Sequence, residues 1–400
     1  MRWLVPVLVF VAGCNNCNGS SSNAPDTGGG PATDAAPVVA ADAAPKPRRA
    51  PTGGAEALAQ ISTEIDAQKA TTGLPPAQRD RFIDLLLQRA ELMGKASDLV
   101  RADELTKAWP EQHLARAKVL AATMRFVDAI AELDRATTAP KNEVNNLRFA
   151  ILVGHGEYDE ALAMQPAPIE RLDALGIANA GLLAFKMQKK DEGRRLITLA
   201  MQKAEDDGAP LPYAWICFQQ GMIYALAGDD VSAESWFGSA VNIVPQYAHA
   251  AVHLAPAQAP EAALAKLAEI AKTSDAPEVP HARAEILDRM NKKDEAKAAA
   301  AIAAKGYETF LAKLPEAFSD HAARFYLGVG NDPKKALHLA RDNAKARPTE
   351  DAMDLWMATA AGAKETTEAC TASRGMKELH YTSDRGRALA NASCPDAGVH

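Results

Sequence analysis

A short pattern recurs along this chain: a polar turn, an acidic residue, and then a small residue within a helical stretch. GDDVSAESWFGSA (228–240) is typical, with Ala233 as its small residue. The small residues of six such stretches are Ala129, Ala161, Gly193, Ala233, Ala296 and Ala336, and a weaker member adds Ala263. Successive small residues lie 32, 32, 40, 30, 33 and 40 positions apart. Such a period is typical of a repeat architecture, in which each unit is one supersecondary element.

The composition favours helices as the elements of this unit. Alanine is abundant and aromatic residues make up only 6% of the chain, a mix that suits helices better than strands. Apolar residues follow a helical spacing, as at Leu58, Ile61 and Ile65. Short breaks of Gly, Pro, Asp or Asn divide the helices into pairs. The sequence therefore predicts an all-α protein.

Residues 221–245 carry the clearest unit. Its key residues are, in chain order, Gly221, Tyr224, Gly228, Asp229, Ala233, Phe237, Ala240 and Pro245. Their order and spacing resemble the tetratricopeptide repeat, a helix pair of 34 residues. The resemblance implies a right-handed α-solenoid of helix pairs over residues 54–372, with a C-terminal cap and tail over residues 373–400. An irregular all-helical domain is the alternative.

The same resemblance suggests where a partner binds. In this family the second, fifth, ninth and twelfth positions of each first helix line the concave face. Those positions are Leu175, Ala178, Leu182 and Phe185 in one unit, and Trp215, Phe218, Met222 and Ala225 in the next. They lack the Lys and Asn of the family's carboxylate clamp, which puts carboxylate recognition in doubt.

We therefore predict an apolar partner-binding groove formed by Trp215, Phe218, Met222, Leu182 and Phe185. Such a groove would take a hydrophobic helix or an extended apolar segment of a protein or peptide partner. The alternative is that these side chains only pack against neighbouring helices.

The N-terminus has the pattern of an export signal. The apolar run from Trp3 to Ala12 spans ~15 Å as a helix, which is too short to cross a bilayer core. Val11-Ala12-Gly13-Cys14 resembles the bacterial lipobox. The resemblance implies a signal peptide over residues 1–13 and a lipid-modified Cys14. An ordinary secretory signal with a cysteine nearby by chance is the alternative.

These features predict a lipid-anchored protein of a bacterial cell envelope, with the outer membrane favoured. Residues 14–53 are rich in Gly, Ser, Ala, Pro and Asp and have little apolar surface to bury. We therefore expect a flexible linker between the lipid and the helices.

The sequence contains no recognisable catalytic motif, neither a nucleophile elbow nor a P-loop, dinucleotide fingerprint or zincin motif. His249 and His253 share one helix face and could hold a metal, but they lack an obvious third ligand. We predict no cofactor, no metal and no enzymatic activity. The formal charge of −7 argues against nucleic-acid binding.

Cys370 and Cys394 are predicted to form a disulfide, because exported proteins meet oxidising conditions. Two independent buried thiols are the alternative. The segment around Met376, Leu379 and Leu389 is predicted to cap the last unit.

Together these features predict a membrane-anchored scaffold or adaptor that binds another protein at the envelope. An envelope enzyme or carbohydrate-processing factor is the alternative. Clustered carboxylates with perturbed pKa values would favour the enzyme, and an extended apolar groove would favour the adaptor.

Overall fold

The computed structural model of this chain describes residues 52–69, 73–165, 168–169 and 172–394. The regular elements of these residues are helices, and none of them lies in a strand. The predicted signal peptide, Cys14 and nearly all of the predicted linker lie outside the described residues.

The described part of the chain forms twenty α-helices. They are α1 (Gly54–Lys69), α2 (Pro76–Met93), α3 (Ala96–Ala108), α4 (His113–Ala122), α5 (Phe126–Arg135), α6 (Lys141–His155), α7 (Tyr158–Met164), α8 (Ala174–Lys186), α9 (Lys190–Asp206), α10 (Pro210–Ala227), α11 (Asp230–Ile243), α12 (Ala248–Leu254), α13 (Pro260–Ile270), α14 (Glu278–Arg289), α15 (Lys293–Leu311), α16 (Pro315–Leu327), α17 (Pro333–Ala346), α18 (Glu350–Gly362), α19 (Thr366–Glu378) and α20 (Asp384–Ser393).

Eighteen of these helices form nine consecutive pairs, from α2·α3 to α18·α19. The two helices of a pair pack on each other, and each pair packs on the next. This arrangement confirms the prediction of an all-α solenoid of helix pairs. Helix α1 precedes the first pair, and α20 follows the last.

The turn inside most pairs contains a residue with left-handed backbone. These residues are Gly94, Met124, Gly156, Gln188, Gly228, Asn291, Asn331 and Lys364. In the six predicted units the small residue lies five positions later, as Gly193 follows Gln188. Lys364 and Ala369 continue this spacing in pair α18·α19, so the last pair extends past the predicted boundary at residue 372.

The small residues allow the two helices of a pair to touch. A Cβ on Gly221 would lie 2.5 Å from the ring of Phe237, and one on Gly193 would lie 2.6 Å from the ring of Phe185. Contacts under 3 Å are not tolerated, so glycine is required for this helix separation.

The N-terminal helices fold back on the middle of the solenoid. Helix α1 packs on both α2 and α10, and a Cβ on Gly54 would collide with the carbonyl of Ile243. Helix α2 packs on α12. Val100 of α3 belongs to one apolar cluster with Phe310 and Phe318. The first pair therefore contacts units that lie far along the chain.

The C-terminal helices contact the middle of the solenoid as well. Helix α20 packs on α18 and α19. The hydroxyl of Tyr381 donates a 2.6 Å hydrogen bond to Asp159, and Arg385 donates one of 3.1 Å to the carbonyl of Leu226. In the described part of the chain, no helix combines the length and apolar character that crossing a membrane requires.

Candidate functional site

The side chains that we predicted to line a partner-binding groove are buried. Trp215, Phe218 and Met222 are 3%, 5% and 2% exposed, and Leu182 is 3% exposed. Phe185 is partly buried. In this structure these side chains pack against neighbouring helices and do not form an open groove, which is the alternative that the sequence left open.

The physical reason is that other parts of the chain cover the first helices of these pairs. The ring of Phe218 lies 5.3 Å from that of Tyr247 and 5.5 Å from that of His253, between centroids. Phe185 fills the space over Gly193. Helix α1 packs on α10, the helix that carries Trp215 and Phe218.

Helix α1 buries one apolar stripe. Leu58, Ile61 and Ile65 are buried, and they belong to the same core cluster as Trp215 and Met222 of α10. Their spacing places all three on one face of the helix. We call the buried surface of α10 that carries Trp215, Phe218 and Met222 the α10 surface. It is the candidate docking site of this protein, and α1 packs on the helix that carries it.

A buried carboxylate lies at the contact between the first and sixth pairs. Glu91 of α2 is 5% exposed, and its Oε1 accepts a 2.6 Å hydrogen bond from the hydroxyl of Tyr247. Its Oε2 lies 3.9 Å from Nε2 of His249, and no hydrogen-bond donor in the described residues reaches it. Burial raises the pKa of Glu91 to about 7, although the Tyr247 hydrogen bond opposes the shift. This carboxyl therefore changes charge near neutral pH.

A second buried polar group lies further along the solenoid. Nη2 of Arg347 lies 2.8 Å from Oδ2 of Asp320, which is fully buried. Burial alone would raise the pKa of Asp320, but the charges of His321, Arg347 and Arg324 hold it below its usual value. Asp320 is thus an ionised partner in a buried ion pair.

Of the two histidines of α12, His249 is buried and His253 is partly buried. Burial, followed by the charge of His321, lowers the pKa of both His249 and His253 to about 3. Both rings pack near Phe218, at centroid distances of 6.5 Å and 5.5 Å. In the described part of the chain, no group of three or more His, Cys, Asp or Glu residues is placed to hold a metal. These observations give the pair a packing role as neutral imidazoles.

The structure joins Cys370 of α19 to Cys394, just after α20, with Cα atoms 5.0 Å apart. Met376 is buried, and Leu379 and Leu389 pack against the same apolar cluster. Cys217 is a buried free thiol, and burial raises its pKa.

The contacts that close the chain on itself were not predicted. Nζ of Lys186 lies 2.7 Å from Oδ2 of Asp351, and Glu91 contacts Tyr247 across 156 positions of sequence. Nothing in the local sequence around either pair marks its distant partner. The amphipathic pattern of α1 is the one relevant sequence feature, because it indicates a helix face that must be buried against another part of the chain.

Comparisons with known proteins show a distant likeness to helical structures. No family model and no curated protein matches the chain. Similar solved structures include Cut9–Hcn1, an APC/C hetero-tetramer (13% identity, 84% of this chain and 59% of that chain, TM-score 0.40). They also include human IFIT1 as a dimer with PPP-AAAA (14% identity, 84% of each chain, TM-score 0.41). Yeast Tom70 is similar at 14% identity, over 86% of this chain and 95% of that chain, with a TM-score of 0.30. This chain spans 59% of the length of the Cut9–Hcn1 chain it matches.

Proposed function

We propose that this chain is a lipid-anchored scaffold or adaptor that binds another protein or peptide at a bacterial cell envelope. The observation that carries the proposal is the solenoid of nine helix pairs. Each pair packs mainly on its neighbours, and solenoids of this kind present extended helical surfaces to a partner.

The proposed anchor is a lipid on Cys14, followed by the linker over residues 14–53. A coil of about 40 residues has a typical reach of ~35 Å, so the helices would stay close to the membrane. Several acyl chains on one cysteine hold a protein on a membrane without a spanning helix. We favour the outer membrane.

Fatty-acid labelling with membrane fractionation tests the anchor. Cys14→Ser is expected to lose the label and to leave the membrane fraction, or to remain unprocessed. Cys17→Ser is the matched control, since it changes a cysteine three positions away and should behave like the wild type. Equal labelling of Cys14→Ser and wild type, or a soluble wild type, contradicts the anchor.

In-cell crosslinking followed by affinity purification tests the adaptor. We expect one or a few envelope proteins to be recovered with the wild-type chain and to be lost or reduced with Cys14→Ser. Recovery of the same proteins with an unrelated lipoprotein of similar abundance would argue against specific binding.

An envelope enzyme or carbohydrate-processing factor is the alternative, although the two carboxylates with the most raised pKa values, Glu91 of α2 and Asp354 of α18, lie on different helices. Burial raises the pKa of Glu91 to about 7 and that of Asp354 to about 6, a range typical of general acids. Incubation with envelope glycans, followed by mass spectrometry, tests this candidate. Product formation by the wild type that folded Glu91→Gln loses would favour the enzyme over the adaptor.

A further inference from the structure

We propose that α1 is a displaceable occupant of the α10 surface, and that the partner is a protein whose amphipathic helix takes the place of α1. This inference rests on the proposed adaptor function and specifies the chemistry of its partner.

Helix α1 packs in the way a bound helix would. It stands outside the nine pairs, and it contacts α2 of the first pair and α10 of the fifth. Its apolar stripe of Leu58, Ile61 and Ile65 is buried, while most of its other side chains are exposed. An amphipathic helix that lays one apolar face into a surface formed by other helices is a common mode of peptide recognition.

The polar contacts of α1 explain how it can leave. Glu64 lies 3.1 Å from Nη2 of Arg81, Asp66 lies 3.9 Å from Nη1 of Arg89, and the Ser62 hydroxyl lies 3.7 Å from Sδ of Met93. All three contacts go to α2, and the Glu64–Arg81 pair is exposed, so it stabilises α1 only weakly. Helix α1 precedes the first pair of the described residues, so it is not itself a member of any pair.

The α10 surface offers a donor that the chain leaves unused. Nε1 of Trp215 is buried, and no acceptor in the described residues reaches it. Buried donors are nearly always paired in folded proteins. A partner that brings a carbonyl or carboxylate oxygen to Trp215 would satisfy this group, which α1 does not.

The chemistry of the partner follows from these contacts. It is a helix with apolar residues at positions i, i+3 and i+7, matching Leu58, Ile61 and Ile65. Acidic residues placed like Glu64 and Asp66 would face Arg81 and Arg89. Trp215 would be the aromatic contact of this helix on the α10 surface, because the ring of Phe218 packs on Tyr247 and His253.

A labelled synthetic peptide with the sequence of residues 54–69 serves as the probe. Its binding is measured by fluorescence anisotropy to the full chain carrying Ile61→Asp and Ile65→Asp, which weakens the chain's own α1. We expect saturable binding to this variant and at least tenfold weaker binding to the wild type, whose surface is occupied. A peptide carrying the same two substitutions is the control and should not bind. Equal binding of the two peptides, or no binding to the folded variant, overturns the proposal.

A reversible disulfide between α1 and α2, called the lock, provides a second test that needs no substitution that weakens α1. Ser62→Cys with Met93→Cys places two thiols across the contact between α1 and α2. When this pair is oxidised, we expect binding of the peptide to fall at least tenfold relative to the reduced form. Unchanged binding in the two forms would show that α1 need not move, and it overturns the proposal.

The lock also separates this inference from the adaptor function. If the oxidised form still captures the crosslinked envelope partner as well as the reduced form, the adaptor stands and displacement of α1 is wrong. Light scattering of the wild type distinguishes a partner from a second copy. We expect a monomer, and a dimer that exchanges α1 would overturn the choice of partner.

Discussion

The hydroxyl of Tyr247 donates a 2.6 Å hydrogen bond to the buried carboxylate of Glu91, although the two residues are 156 positions apart in sequence. The contact joins α2 of the first pair to the start of α12 in the sixth. The hydrogen bond therefore holds the first pair against the sixth, which lies far along the chain.

Tyr247→Phe removes the donor and leaves the Glu91 carboxylate buried without it. We expect the free energy of unfolding to fall by about 1–3 kcal/mol, the usual cost of a buried polar group that has lost its partner. Denaturant titration measures the change. Tyr224→Phe, at a partly exposed tyrosine of α10, is the control and should have little effect. A similar loss in both variants would contradict the role of the hydrogen bond.

The stability of the protein should depend on pH through Glu91. Its pKa is about 7 in the folded chain, above the ordinary value of 4.5, so the folded state holds a proton that the unfolded state has released. Glu91 therefore lowers the free energy of unfolding as pH rises from about 4.5 to 7, by roughly 3 kcal/mol in total. Between pH 5 and pH 8, the free energy of unfolding should fall less for Glu91→Gln than for the wild type. The same loss in both proteins contradicts this assignment.

Two glycines of the fifth pair should respond to alanine in opposite ways. A Cβ on Gly221 would lie 2.5 Å from Phe237, so Gly221→Ala is expected to destabilise the fold by about 1–3 kcal/mol. Gly238 of α11 has no atom within 4 Å of its Cβ position, so Gly238→Ala should stabilise the helix by about 0.5–1 kcal/mol. Thermal unfolding compares the two. A stable Gly221→Ala would show that the helices do not approach each other as closely as described.

The Cys370–Cys394 bond should stabilise the C-terminal end. Closing a loop of about 25 residues is worth roughly 3 kcal/mol in the chain-entropy model. Replacing both cysteines by serine is expected to lower the free energy of unfolding by about 3 kcal/mol. Hydrogen exchange should accelerate first in α20. Cys17→Ser should leave both unchanged. Free-thiol labelling of both cysteines in protein purified without a reducing agent would contradict the bond.

The helix pairs could be predicted from sequence because their contacts are local. The turn residue and the small residue five positions later, as at Gln188 and Gly193, belong to the same unit. Ala369 lies five positions after Lys364 and so has the same spacing, but the predicted repeats did not include it.

The closure of the solenoid could not be predicted in this way. The stripe of Leu58, Ile61 and Ile65 indicated a buried face but not that α10 would lie near it. The predicted groove at Trp215 and Phe218 rests on a family resemblance in which the first-helix face is open. Burial of that face depends on contacts between residues that are far apart in the chain.

Hydrogen–deuterium exchange of α10 tests most directly whether α1 covers the α10 surface. Peptides from residues 210–227 are compared between the wild-type chain and the variant carrying Ile61→Asp and Ile65→Asp, with residues 315–327 of α16 as the internal reference. We predict slow exchange of α10 in the wild type, and at least tenfold faster exchange in the variant while α16 is unchanged. Equal exchange of α10 in the two proteins would contradict the claim that α1 covers this surface.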